Sequence, residues 1–363
     1  MEKFSYDDAF PEAMQPRGTG ALNTLAGYIR SNRSFAERAE VFVRRHASQF
    51  DIIDANQTDL TVSKSSLGFG GLLVARSVGL IPAYADFNRV ARKRWKEGTS
   101  ARDVIHNMLT LPRRKRALRD VHASFRHADL INVSNCDDLN TVSNLMGYKD
   151  KVVYFPFGLS QSRLQAFSAS RQSATQRLKA RTVAFIGMWN SRKGRRDWPR
   201  IFEALRRLVP DARLLILGAG LPVEHVLSDF SLETRGAVRV VSAYQSEELP
   251  ELLGSVTVGA FPGYLEGFGF GILEMLAAGL PTIAYDAPGS RDILGRLMRP
   301  TMVAAGDTEE FARLLAETLV LSEERYTKSA EESDAVARTF AWREIAIQTR
   351  AAYVDRLTRL RAK

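Results

Sequence analysis

Sulfur chemistry is almost absent from this sequence. One cysteine, Cys136, stands in 363 residues, which excludes an internal disulfide and a zinc cluster built on cysteines. Its place beside an apolar run, LINV, predicts a small buried side chain rather than a nucleophile. No apolar run reaches the roughly 18 residues that span a bilayer. The opening stretch, MEKFSYDDAFPEAM, lacks the basic-then-apolar pattern of a secretory leader, so the expected location is cytoplasmic. An Asp-x-Asp metal pair, internal repeats and low-complexity tracts are also missing.

What is present is length enough for two ordinary domains, with the 45% apolar and 25% charged residues of a globular protein. Positive charge is in excess, at +10, and it is concentrated. Between Arg89 and Arg126 stand twelve Lys/Arg against Glu97, Asp103 and Asp120, with Trp95, Met108, Leu109 and Leu111 interleaved. A solvated helix face fits such a segment, and so does a surface for lipid headgroups or an anionic acceptor. The expectation is peripheral association with the inner face of an anionic membrane; nucleic acid is not the expected partner.

The rest of the chain is organised around Val256 to Asp286, VTVGAFPGYLEGFGFGILEMLAAGLPTIAYD. An apolar run reads as a buried strand, a Pro/Gly turn follows, and Gly267, Gly269 and Gly271 alternate ahead of a helical pattern from Ile272 to Ala278. Free backbone N–H groups at such a helix start, with the positive end of its dipole, form an anion site. Glu266 and Glu274 bracket the loop. Carboxylates repel a phosphate, so their presence makes sense if each accepts hydrogen bonds from sugar hydroxyls while N–H groups take a diphosphate. Ionised acceptors are worth roughly 1.5–3 kcal/mol per bond. A lone Glu here would read as a helix-capping acid; the pair favours the sugar reading.

Pro262, Gly263, Glu266, Gly267, Phe268, Gly269, Glu274, Ala278, Gly279 and Pro281 resemble the signature of the retaining glycosyltransferases of family four. Gly263 replaces that pattern's serine. The resemblance implies a GT-B fold: two Rossmann-like, doubly wound α/β domains facing a central cleft. It implies that Glu274 holds the donor ribose and Glu266 the donor-sugar hydroxyls. Lys193, with the N–H groups of Phe268 and Gly269, would serve the diphosphate, and Gly267 is counted among the donor-binding residues. The family's Arg corresponds to Met188 here, and Arg192 is the candidate to supply the lost charge, although adjacent side chains on an extended loop point apart. Asn88 stands where the family often has a His facing the sugar, and is expected as a polar contact.

Along the chain, Gly18 and Gly20 fit either the family's first phosphate loop or a plain turn. No apolar strand precedes them, so the first domain is expected to be shortened or degenerate at its N-terminus. Helices are expected over 35–46 and 67–78, and strands over 50–55, 80–87, 128–134 and 152–158. The Ser/Gln/Arg-rich stretch 159–181 reads as a linker, dividing residues 1–158, an acceptor-side domain, from residues 182–338, a nucleotide-sugar domain. Residues 339–363 would form a helix returning to the first domain. The expected activity is transfer of a sugar from a nucleotide-sugar donor to a glycan or lipid-linked acceptor, with no metal or other cofactor. Two rivals are a catalytically impaired scaffold acting as a basic membrane or nucleic-acid binder, and a nucleotide-sugar epimerase.

Overall fold

The computed structural model describes residues 35–95 and 101–362. Gly18, Gly20 and the expected helix from Ala21 to Arg30 lie outside the described residues. Four parallel strands make the first sheet in the order β1 (Ile52–Asn56), β2 (Leu72–Arg76), β3 (Leu130–Val133), β4 (Val152–Tyr154). The second sheet contains β5 (Thr182–Ile186), β6 (Arg213–Leu217), β7 (Val238–Val241), β8 (Val258–Phe261), β9 (Thr282–Tyr285) and β10 (Met302–Val303). Its order is β10-β9-β8-β5-β6-β7, and its pairings are parallel. β5 therefore has β6 on one side and β8 on the other. A crevice opens at the carboxyl ends of strands where the winding reverses in this way.

Parallel strands covered by helices on both faces read as unbroken apolar runs. Val183, Ala184 and Phe185 on β5 and Val258 and Ala260 on β8 are 0% exposed. For this reason the apolar run at the head of the Val256 to Asp286 stretch was readable as a buried strand, β8.

The first sheet differs from expectation in two places. The helix expected over 67–78 is a single turn, Lys64–Leu67, ended by Gly68 in the left-handed region (φ 64°), and Leu72–Arg76 is the buried strand β2. The strand expected over 80–87 is a helix, Ile81–Trp95. Pro82 sits in its first turn, where a missing N–H costs nothing. Asn88 consequently stands exposed on a helix, not at a strand end. Cys136, expected to be buried, is exposed.

The 159–181 segment carries two helices, Gln161–Ala169 and Ala174–Ala180. Leu164 and Phe167 join the core of the second sheet. Arg177 is 2% exposed and donates to the carbonyls of Gly254, Ala278 and Gly279. A guanidinium that satisfies backbone carbonyls can be buried at acceptable cost, which composition alone does not reveal.

The chain passes between the sheets twice, and the two passages lie side by side. Leu159 N–H donates to Phe340 O (3.0 Å) and Trp342 N–H to Leu159 O (2.9 Å). Beyond them the Trp342–Arg361 helix returns to the first sheet, where Tyr353 and Leu357 pack on Leu72, Val74 and Leu130. Tyr353 donates to Asp54 (2.9 Å) and accepts from Asn132 (2.8 Å).

Candidate functional site

The loops after β5 and β8 meet at the winding reversal. After β5, the 3-10 turn Ser191–Lys193 is capped by Asn190, whose side chain accepts from Lys193 N–H, and it ends at Gly194 (φ 86°). A side chain at 194 would overlap the Pro262 carbonyl, so the two loops touch through glycine. The tight turn brings adjacent side chains onto one target. Arg192 reaches Glu266 Oε1 at 2.6 Å and Lys193 Nζ reaches Glu266 Oε2 at 2.8 Å. Arg192 and Lys193 thus point the same way, against the expectation for an extended loop.

Glu266 is 9% exposed, and Arg192 also donates to Leu265 O at 2.7 Å. Burial pulls the Lys193 ammonium below the usual lysine range, and Glu266 pulls it partly back. Two cations share one carboxylate, which leaves local positive charge for an anion. Met188, at the position of the family's arginine, is 61% exposed and therefore not a core residue.

Behind Glu266, Gly269 (φ 100°) precedes the Phe270–Ala277 helix. Among the described residues the N–H groups of Phe268 and Gly269 donate to no partner. The Phe268 ring is buried against Phe157 and Phe340, near the two passages.

Glu274, one turn into the helix, faces an open pocket of about 420 Å³ lined by Arg163, Gly218, Ser242, Tyr244 and Ser246. Its Oε1 accepts from Arg163 at 3.0 Å. Burial raises the Glu274 pKa and Arg163 opposes the rise. Tyr244, its hydroxyl pushed up to about 12 by burial and by Glu274, lies against Gly218. A second cavity, of about 260 Å³, lies against β1 around Phe42, Phe50 and Asp59, away from these groups.

The first sheet closes over the loop. Gly267 O accepts from Ser134 Oγ (2.8 Å) and Asn135 Nδ2 (2.6 Å), and Arg192 lies over the Tyr84 ring at 5.2 Å. Arg291 pairs with Asp137 across the cleft at 2.8 Å. Trp95, expected to face lipid, is half-buried with its ring 5.2 Å from Tyr264. Arg163, Tyr84, Tyr244, Ser134 and Asn135 were not anticipated from the sequence, because none stands in a motif.

Asp138 lies under this contact, 3% exposed, accepting from Leu80 N–H. Desolvation raises its pKa to about 6. An acid whose folded pKa is raised stabilises the fold most below its unfolded value, near 3.8, and that contribution is lost as pH rises through about 6. Asp138→Asn keeps the acceptor and removes the titration. Thermal unfolding should show the variant up to about 3 kcal/mol more stable than wild type at pH 8 and nearly equal at pH 4.

Two parallel α/β sheets, joined by paired passages and facing one another across a cleft with a cationic pocket at the winding reversal, define the GT-B class. Sucrose-phosphate synthase from Thermosynechococcus elongatus shares the fold at a TM-score of 0.66 and 18% identity, over 90% of this chain and 78% of that one. The Anabaena protein HepE, solved with UDP and glucose, does so at 0.64 and 16%, over 93% and 83%. Residues 167–333 match the family model described as glycosyl transferases group 1. A D-inositol 3-phosphate glycosyltransferase of Mycobacteroides abscessus is 26% identical over 192 residues, 51% of this chain and 42% of that protein. An MMP alpha-(1->4)-mannosyltransferase of Mycolicibacterium hassiacum is 26% identical over 147 residues, 39% and 34%. The chain's matches thus span about a third to two fifths of the length of these curated relatives.

Proposed function

We propose that the protein is a retaining glycosyltransferase that moves a sugar from a nucleotide-sugar donor to a glycan or lipid-linked acceptor. The observation that carries this reading is the convergence of Arg192 and Lys193 on Glu266 beside the unpaired N–H groups of Phe268 and Gly269. In it Glu274 grips the ribose diol, and Glu266 accepts from donor-sugar hydroxyls. Lys193, Arg192 and the loop N–H groups stabilise charge that builds on the departing diphosphate, in a site pre-organised before the donor arrives. The names of the relatives and the UDP complex of HepE support a nucleotide-sugar donor.

With two protein cations at the leaving group, the reaction is expected to run without a metal. The test is a panel of UDP-, GDP- and ADP-sugars incubated with the protein in EDTA. Release or transfer of sugar supports the reading, and NMR of the product reads the anomeric configuration. Interconversion of sugars would indicate an epimerase. Silence toward every donor, with no nucleotide bound, would overturn the proposal.

Met188 supplies a further test. Because the position is exposed beside the β6 loop, Met188→Arg should leave the melting temperature unchanged. It should tighten nucleoside diphosphate binding about tenfold, the scale of one charge-assisted bond. Titration calorimetry reads the gain; unaltered affinity would place position 188 away from the diphosphate.

The membrane association is also a proposal. On the Ile81–Trp95 and Ala101–His127 helices, Lys93, Lys115, Arg116, Arg119 and Arg126 are exposed, and each contributes about 1 kcal/mol near an anionic leaflet. Trp95 is engaged with Tyr264, so the attraction is electrostatic. Flotation with phosphatidylglycerol vesicles should show binding at low salt that is lost at high salt and in a variant with Lys115, Arg116 and Arg119 changed to Ser.

A further inference from the structure

Glu274 is held on one side only. Among the described residues its Oε1 accepts from Arg163 and nothing donates to Oε2. The second oxygen belongs to a carboxylate 17% exposed, in the wall of the 420 Å³ pocket. Arg163 is itself fixed: it donates to the Ser246 carbonyl, and its guanidinium lies 4.7 Å from the centre of the Phe167 ring. Phe167 is 1% exposed in the core of the second sheet. An arginine clamped by a carbonyl and an aromatic ring is a rigid support rather than a mobile surface charge.

We infer that Arg163 is a positioning residue that holds one oxygen of Glu274 and turns the other, free oxygen to meet the ribose diol of a nucleoside diphosphate. The inference rests on the ribose-binding reading of Glu274 proposed above, and adds the group that makes a buried carboxylate usable there. A carboxylate taken out of water without a partner becomes protonated instead. Burial raises the Glu274 pKa, and Arg163 opposes that rise. Removing the guanidinium raises it further, and a neutral carboxyl is a weaker acceptor than an ionised one.

The other charged groups around this helix are already engaged. Asp334, from the Glu323–Arg338 helix, pairs with Arg171, which donates to Ala277 O at the far end. Arg291, on the Ser290–Leu294 helix, pairs with Asp286 and Asp137, and Asp292 accepts from Cys136 N–H. Tyr244 faces Glu274 from the β7 side as a neutral phenol. Arg163 is therefore the cation whose removal changes the titration of Glu274.

The experiment is calorimetric titration with UDP, GDP and ADP, continued with the tightest binder, from about pH 5.5 to about pH 8.5. The full chain is compared as wild type, Arg163→Met, Arg163→Lys, Glu274→Gln and the double variant Arg163→Met/Glu274→Gln. The ratio of each variant's affinity to that of wild type removes the titration of the nucleotide itself. Arg163→Met should bind about tenfold or more weakly at low pH and recover as pH rises, because deprotonation of Glu274 restores the acceptor. Arg163→Lys should restore most of the affinity at low pH. The double variant should lose no more than Glu274→Gln alone, the mark of two residues acting through one contact.

A loss in Arg163→Met that is independent of pH, or that adds to the Glu274→Gln loss, would overturn the inference while leaving Glu274 as the ribose residue. Unchanged affinity in Glu274→Gln would overturn the ribose assignment and the inference with it. Melting temperatures separate either result from unfolding, and a variant that fails to fold is replaced by Arg163→Gln, which retains length and polarity.

Discussion

Lys193→Met should lower the rate of sugar transfer by two to three orders of magnitude while the protein stays folded, with a much smaller effect on acceptor affinity. Removing one pre-organised donor from a site of developing charge costs about 10²–10³ in turnover. Methionine keeps the apolar stem of Lys193 and gives up only the ammonium, which lies 4.7 Å from the centre of the Phe261 ring, so little packing is lost. Glu266 remains paired through Arg192 at 2.6 Å, so no buried charge is left alone. Arg192→Met should be milder, because Lys193 still faces the same carboxylate at 2.8 Å. Steady-state rates with the best donor read both variants. Equal turnover in Lys193→Met and wild type would remove the lysine from the leaving-group role.

Gly267→Ala should lower transfer about a hundredfold and weaken free nucleotide binding much less. A Cβ at 267 would overlap the carbonyl of Val78, a backbone group in the loop after β2 that cannot swing aside as a side chain would. The clash would push the loop from Ser134 and Asn135, whose side chains hold the Gly267 carbonyl. The Glu274 pocket is built from the second sheet's own loops and the Gln161–Ala169 helix, so it should survive. A displacement of about 1 Å in reacting groups costs on the order of 10² in rate. Donor affinity by calorimetry and transfer rate, measured together, check the separation; parallel losses in both would show that closure over Gly267 is not the step affected.

Legibility followed the physics of each region. The loop and helix around Glu266 were readable because alternating glycines ahead of an apolar helical pattern are a local signal. Segments 67–78 and 80–87 were misread because a short apolar run is compatible with either buried element. Gly68, inside the expected helix, instead ends a single turn in the left-handed region. Arg163 could not be found, since its partner lies 111 positions away and nothing near it repeats. Arg192 was named for its charge, but its direction depends on the capped turn at Asn190. Trp95 was read as lipid-facing because its partner, Tyr264, arrives from the other sheet.

The side-by-side passages at Leu159 and Phe340–Trp342 make the molecule asymmetric mechanically. Two separate tethers would let one sheet twist or slide against the other, whereas a pair riveted by backbone hydrogen bonds behaves as a single axle. Motion about an axle is a swing, with the least travel beside Phe268 and the greatest at the rim, where Trp95 meets Tyr264. Opening the cleft must break the Trp95–Tyr264 contact, the Arg291–Asp137 pair and the Gly267 clasp. Of these only the ion pair is weakened by salt, so ionic strength should tune how often the jaw opens without loosening its pivot.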